Sequence, residues 1–175
     1  MKLFKSKTSR WRQAGFTLIE ILTAITITGL IGMGVSIASA QVINQTTKNN
    51  DYTIASRNAL NALYWISHDA LMAQTINGWE GFPQTEDLSL YWIGWDNTEH
   101  SANYTLENGV LKRIYAENGQ VTVTVIASNI NPDASLTHCV SFNGTLTVTI
   151  TGTAGAGDRI INVTKIRDIA QRPSL

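Results

Sequence analysis

The 175-residue sequence has one cysteine, Cys139, so no intrachain disulfide can form. The fold must hold by sheet and core packing, or by a partner. Charge is scarce as well, and over one long stretch reduced to a single residue. Residues 16–40 contain Glu20, no other charged residue and no proline. The rest of the chain is polar and rich in Asn and Thr, so an anchor is set apart from a soluble part. The three histidines, His68, His100 and His138, have no spacing that suggests a metal site or a triad. His138 and Cys139 are neighbours, and in a strand they would point to opposite faces, which argues against a Cys/His nucleophile pair. No repeat with a period of about 20–50 residues is present. Catalysis, a metal and a cofactor are therefore not expected.

The formal net charge of zero hides a second asymmetry. Residues 1–15 hold Lys2, Lys5, Lys7, Arg10 and Arg12 and no acid. Without these five, eight cations face thirteen acids, a side-chain balance of about −5. A broad nucleic-acid-binding surface is thus not expected once the leader is lost. A small patch, Lys112-Arg113 with Tyr115, is the candidate left for such contacts.

A basic stretch followed by an apolar run admits three readings: a secretory signal peptide, a plain membrane anchor, or an anchor with a specialised leader. Ala38-Ser39-Ala40 is an A-x-A site that favours the first. The run of residues 16–40 is too long for it, since a signal core spans about 7–15 residues. As a helix it would measure about 37 Å, enough to cross a hydrocarbon core of about 30 Å. Glu20 decides between the other two. A carboxylate in lipid costs at least about 2–3 kcal/mol, so its presence implies a function.

Gly15-Phe16-Thr17-Leu18-Ile19-Glu20 resembles the cleavage signature of type IV prepilins and type II secretion pseudopilins. The resemblance implies that a membrane peptidase cuts after Gly15 and N-methylates Phe16. It also implies that Glu20 pairs with the Phe16 amine of a neighbouring subunit, neutralising both charges in apolar surroundings. Partners would be the prepilin peptidase/N-methyltransferase, other pilin-like subunits and inner-membrane lipid before assembly. Leader cations would hold the front end in the cytoplasm, with the head outside. Gly29 stands where the family often carries glycine, and Gly32 and Gly34 follow. The family's usual proline is absent, its place taken by Ile37. Flexibility would then rest on the glycines, each weakening a helix by about 1 kcal/mol; close helix packing is the other use of such small residues.

From residue 41 to about 74, Ala55, Ala59, Ala62, Leu63, Ile66, Ala70 and Ala73 recur at three- and four-residue steps, the apolar face of a helix. Residues 63–71 also resemble the helix end of J-like minor pseudopilins and W-like minor pilins, although an ordinary amphipathic helix accounts for the same residues. Beyond Gly78 short strands are expected at residues 88–92, 104–106, 110–115, 121–126, 140–142, 146–150 and 160–166. Asn108-Gly109 and Asn143-Gly144 mark hairpins, and Asn118-Gly119 leads into the alternating 121–126 segment. Valine or isoleucine is expected to face inward and threonine outward. The expected fold is α+β, one long helix laid across a small antiparallel sheet. Its parts are residues 1–15 as leader, 16–40 as the transmembrane half of the helix, 41–75 as the amphipathic half, and 76–175 as the head. Asp96, Asn97 and Glu99 form a possible calcium loop or a solvated turn. Trp79, Trp92 and Trp95 with Phe82 and Tyr91 form an aromatic region that suits either core or contact surface.

Overall fold

The computed structural model of the protein describes residues 15–170; the leader cations lie outside them. The chain divides into two compact units, the first ending at Asn44 and the second starting at Gln45. Both draw on one helix, α1 (Leu18–Met72).

In the first unit the helix is apolar on every side, and every described residue is exposed. A helix of that kind suits lipid rather than water. Its apolar window has mean hydropathy 2.0 and is long enough to cross a membrane. Four hydroxyl groups of this stretch bond to carbonyls inside the helix. Thr23 donates to the Ile19 carbonyl at 3.0 Å, Thr26 to Leu22 at 3.1 Å, Thr28 to Ala24 at 2.7 Å and Ser36 to Gly32 at 2.8 Å. Such bonds remove the cost of carrying hydroxyls into hydrocarbon.

In the second unit the fold is α+β with two antiparallel sheets, where the sequence suggested one. The five-stranded sheet is a meander of β1 (Thr75–Asn77), β2 (Leu88–Ile93), β3 (Glu99–Glu107), β4 (Val110–Glu117) and β5 (Gln120–Ala127). The three-stranded sheet contains β6 (His138–Phe142), β7 (Thr145–Ala154) and β8 (Ile161–Ala170). Three Asn-Gly pairs close the tight hairpins. Asn108, Asn118 and Asn143 have φ near 50°, and each following glycine has φ near 75°. This is the two-residue turn whose twist matches the flanking strands, and Asn-Gly tolerates both left-handed positions.

The helical stripe read from the sequence is the core-facing one: Ala55, Ala59, Ala62, Leu63, Ile66, Ala70 and Ala73 are all buried. Its small side chains let strands approach closely. A Cβ on Gly152 of β7 would lie 2.1 Å from the Ala55 carbonyl oxygen, so only glycine fits there. Leu88, Leu90, Ala102, Tyr104 and Leu111 fill the core from the first sheet, and Leu146, Val148 and Ile150 from the second. Each of the larger side chains contributes about 1.5–3 kcal/mol by leaving water.

The inward-valine expectation fails in β5. Its threonines continue the row that faces α1, with Thr124 beside Arg113, Tyr104 and Leu88. Val121, Val123 and Val125 lie on the other face and are exposed. Only past a bulge at Ile126 does β5 reach the core, where Ile126 and Ala127 are both buried. In β7 the expectation holds, with Leu146, Val148 and Ile150 inward.

Candidate functional site

The apolar anchor carries one charge, and the structure gives it a local partner. Gly15, Phe16 and Thr17 precede the helix in non-helical backbone, so the Gly15–Phe16 peptide bond stands outside the hydrogen-bonded ladder. Among the described residues, no atom other than those of its chain neighbours lies within 4 Å of where a Gly15 Cβ would be. Phe16 is 84% exposed. Thr17 occupies the N-cap position. Its backbone N–H and its hydroxyl both donate to Glu20 Oε2 at 2.8 Å, and the Glu20 N–H donates to Thr17 Oγ1 at 3.4 Å. That reciprocal pair is a capping box, which satisfies two of the helix's unpaired N-terminal donors. Sequence reasoning treated Glu20 as a lone charge; the T-x-x-E spacing was the signal for its second role.

Gly29, Gly32 and Gly34 lie within α1, which runs through them without a break. A Cβ at any of the three would meet nothing within 4 Å. Together the exposed Phe16, the capped Glu20 and this bare glycine-bearing surface form one end of a helix with no covering of its own among the described residues.

The head contains a second polar constellation that the sequence did not bring out. Asp69, on the buried face of α1, is 1% exposed. Arg113 of β4 holds it in a two-point contact, Nε to Oδ2 at 2.6 Å and Nη2 to Oδ1 at 3.0 Å. The Tyr104 hydroxyl donates to the same Oδ2. The guanidinium lies 5.2 Å from the Trp65 ring and 4.4 Å from the Tyr115 ring. Burial works against the charge of Arg113, but the hydrogen bonds and charge of Asp69 hold it above its ordinary value. Burial, and then the Asp69 charge, push the Tyr104 hydroxyl well above the usual phenol range. The arrangement is a clasp between helix and sheet: buried Asp69 meets Arg113 through both carboxylate oxygens, with His68 Nδ1 3.3 Å from Oδ1. It also removes the candidate basic patch, because Arg113 is committed to Asp69 and Lys112 to Glu107 at 2.8 Å.

The aromatic region divides in two. Trp92 and Phe82 are buried, and Trp92 stacks on His100 at 5.3 Å. The His100 Nδ1 and the Tyr115 hydroxyl are 2.8 Å apart. Trp95, at the β2–β3 turn, is 100% exposed beside an open cleft of about 830 Å³ that Asp96, Glu117 and Gln74 also line. Asp96 accepts the Thr98 N–H at 3.1 Å, as a turn residue does, and hydrogen bonds from Thr98 hold its carboxyl below the usual range. No group of three His, Cys, Asp or Glu side chains comes together among the described residues. Cys139 is buried in β6, and burial pushes its thiol up to about 12, far from reactive.

The model of the prokaryotic N-terminal methylation motif matches residues 12–36. The match covers Gly15, Phe16, Glu20 and the three glycines. No curated protein and no solved structure matches the chain.

Proposed function

We propose that this chain, type IV pilin-like by its N-terminal methylation motif, is a structural subunit of a type IV filament-type machine. In this reading it is a minor pilin or pseudopilin in pilus biogenesis, protein secretion or DNA uptake. The prepilin peptidase cuts after Gly15 and methylates Phe16. The first part of α1 holds the subunit in the inner membrane, with the head outside, until other pilin-like subunits take it up. Glu20 then meets the amine of a neighbour's Phe16, and the glycines Gly29, Gly32 and Gly34 allow the helix to bend or pack closely in the bundle.

The observation that carries this reading is the span of the motif match. Residues 12–36 contain the cut, the residue to be methylated, the single acid and most of the exposed apolar helix. The signal-peptide alternative is weaker because Ala38-Ser39-Ala40 lies inside α1, where a protease meets hydrogen-bonded backbone rather than an extended strand. A second reading, a surface pilin whose head is an adhesive or binding module, draws on the fully exposed Trp95 beside its cleft. The acids Asp96 and Glu117 at that cleft make nucleic acid the least suitable ligand.

Mass spectrometry of the mature N-terminal peptide tests the main reading. The expected peptide begins at Phe16 and carries one extra methyl group on its amine. A mature chain beginning at Gln41 would remove the motif altogether and overturn the reading.

A further inference from the structure

Strand β5 is the outer strand of the five-stranded sheet and pairs on one side only, with β4. Its free edge can be assigned residue by residue. The Asn118-Gly119 turn is a two-residue hairpin closed by Glu117 opposite Gln120. Residues flanking such a turn exchange both backbone hydrogen bonds, and bonding then alternates along the strand. Gln120, Thr122 and Thr124 therefore bond to β4. Val121, Val123 and Val125 direct their N–H and C=O groups to the open side. The side chains of the same three valines are 63%, 61% and 61% exposed.

Open edges are usually guarded by charge, proline, shortness or a cover. The other strands with a free side follow that rule in part: β1 has three residues, β6 has five, and β8 carries Lys165, Arg167 and Asp168. By contrast, residues 118–131 contain no charged residue and no proline. The bulge at Ile126 bends only the far end. An eight-residue, uncharged edge with three exposed valines is a template for another strand.

We propose that this edge pairs antiparallel with the same edge of a second copy, about a two-fold axis at Val123. In that register Val121 faces the second copy's Val125, Val123 faces its counterpart, and Val125 faces the second copy's Val121. All three are edge-facing residues, so the contact forms a regular ladder of hydrogen-bonded pairs. The V-T-V-T-V segment reads the same in both directions. Antiparallel self-pairing therefore sets valine against valine on one face and threonine against threonine on the other, favoured cross-strand matches. Charge selects the second copy over an unrelated strand. Across a two-fold axis a charged residue near the centre meets its own kind, which only an uncharged strip avoids. In a mature chain of about −5, this is a long strip that meets the condition.

Disulfide trapping in membranes of cells making the full chain tests the pairing. Native Cys139 stays in place as the blank, since it is buried. Val123→Cys should give a disulfide-linked dimer on mild oxidation, because hydrogen-bonded pairs hold Cα atoms about 5.5 Å apart, within disulfide reach. Val121→Cys and Val125→Cys should link several-fold less when alone, and efficiently when two differently tagged copies carry one each. Adding Val123→Lys to that mixed pair sets two ammonium groups face to face and should cut the yield several-fold. Ser135→Cys, in an exposed loop, measures chance collisions in the membrane. A Val123→Cys yield no greater than that of Ser135→Cys would overturn the pairing. So would an adduct whose mass is not twice that of the chain, which would assign the edge to a different subunit. The cross-link reads β5 alone, whereas the N-terminal peptide mass reads processing, so either can fail without the other.

Discussion

Two stretches of one helix follow opposite rules. Between residues 18 and 40 α1 exposes Leu18, Ile25, Leu30, Ile31 and Met33 and buries nothing. Between 55 and 70 it buries mainly alanines, with Leu63 and Ile66, while Tyr64 and Leu60 stay outside. The apolar payload is therefore larger where no protein covers it. Burial within the chain explains the second stretch completely and the first not at all. The first needs a surrounding that the described residues do not supply, and its length and mean hydropathy suit lipid. The polar groups differ in the same way. Asp69 is matched by Arg113 and Tyr104 from the same unit, whereas among the described residues Glu20 is met by Thr17, three residues away.

The sharpest break of that contrast is Asp69→Ala. It leaves the Arg113 guanidinium, 13% exposed, without its counter-charge, and breaking a buried pair costs up to about 3–5 kcal/mol. The head should melt far below wild type in detergent, as followed by the Trp65 and Trp92 environment. A shift no larger than that of a surface mutant would mean that water replaces Asp69 and that the clasp is incidental.

A paired experiment on one helix comes next. Ile66→Ala removes a fully buried side chain and should cost about 2–5 kcal/mol. Leu30→Ala removes a similar side chain that is 72% exposed and should leave the melting of the head unchanged. If both shift melting equally, the anchor stretch is packed in a way the isolated chain does not have.

How legible this was in the sequence varied with the physics involved. Helical periodicity identified the apolar residues of the stripe from Ala55 to Ala73 but not the buried Ser67 and Asp69, because burial on one face leaves a 3.6-residue signature in apolar residues. Asn-Gly pairs gave the hairpins, because few other dipeptides tolerate two left-handed residues. The side of β5 was misread. Alternation gives the period of a strand but not which face is covered, and β5 joins the core only at Ile126 and Ala127. The division into two sheets was hidden because pairing depends on which strands meet after residues 128–137, and nothing local encodes that. The anchor end was legible as a motif, yet Thr17 was overlooked because attention went to the charge of Glu20 rather than to the T-x-x-E spacing.

That oversight sets up the smallest and most discriminating test. Glu20 has two roles open to it, the capping acceptor seen here and the proposed counter-charge for a neighbour's Phe16 amine. Alanine removes both, so Glu20→Ala alone cannot tell them apart. Glutamine separates them, since its carbonyl completes a capping box as a carboxylate does but carries no charge. Loss of a cap costs about 1 kcal/mol, confined to the first turn. Amide exchange at Thr17, whose N–H donates to the Glu20 side chain, should therefore speed up in micelles in Glu20→Ala and stay near wild type in Glu20→Gln. Co-purification with partner pilin-like subunits should fall in both, because both leave the neighbour's amine uncompensated in apolar surroundings. If Glu20→Gln assembles as wild type does while Glu20→Ala does not, the assembly device is the ordered first turn, and the charge of Glu20 is not needed to recruit a neighbour.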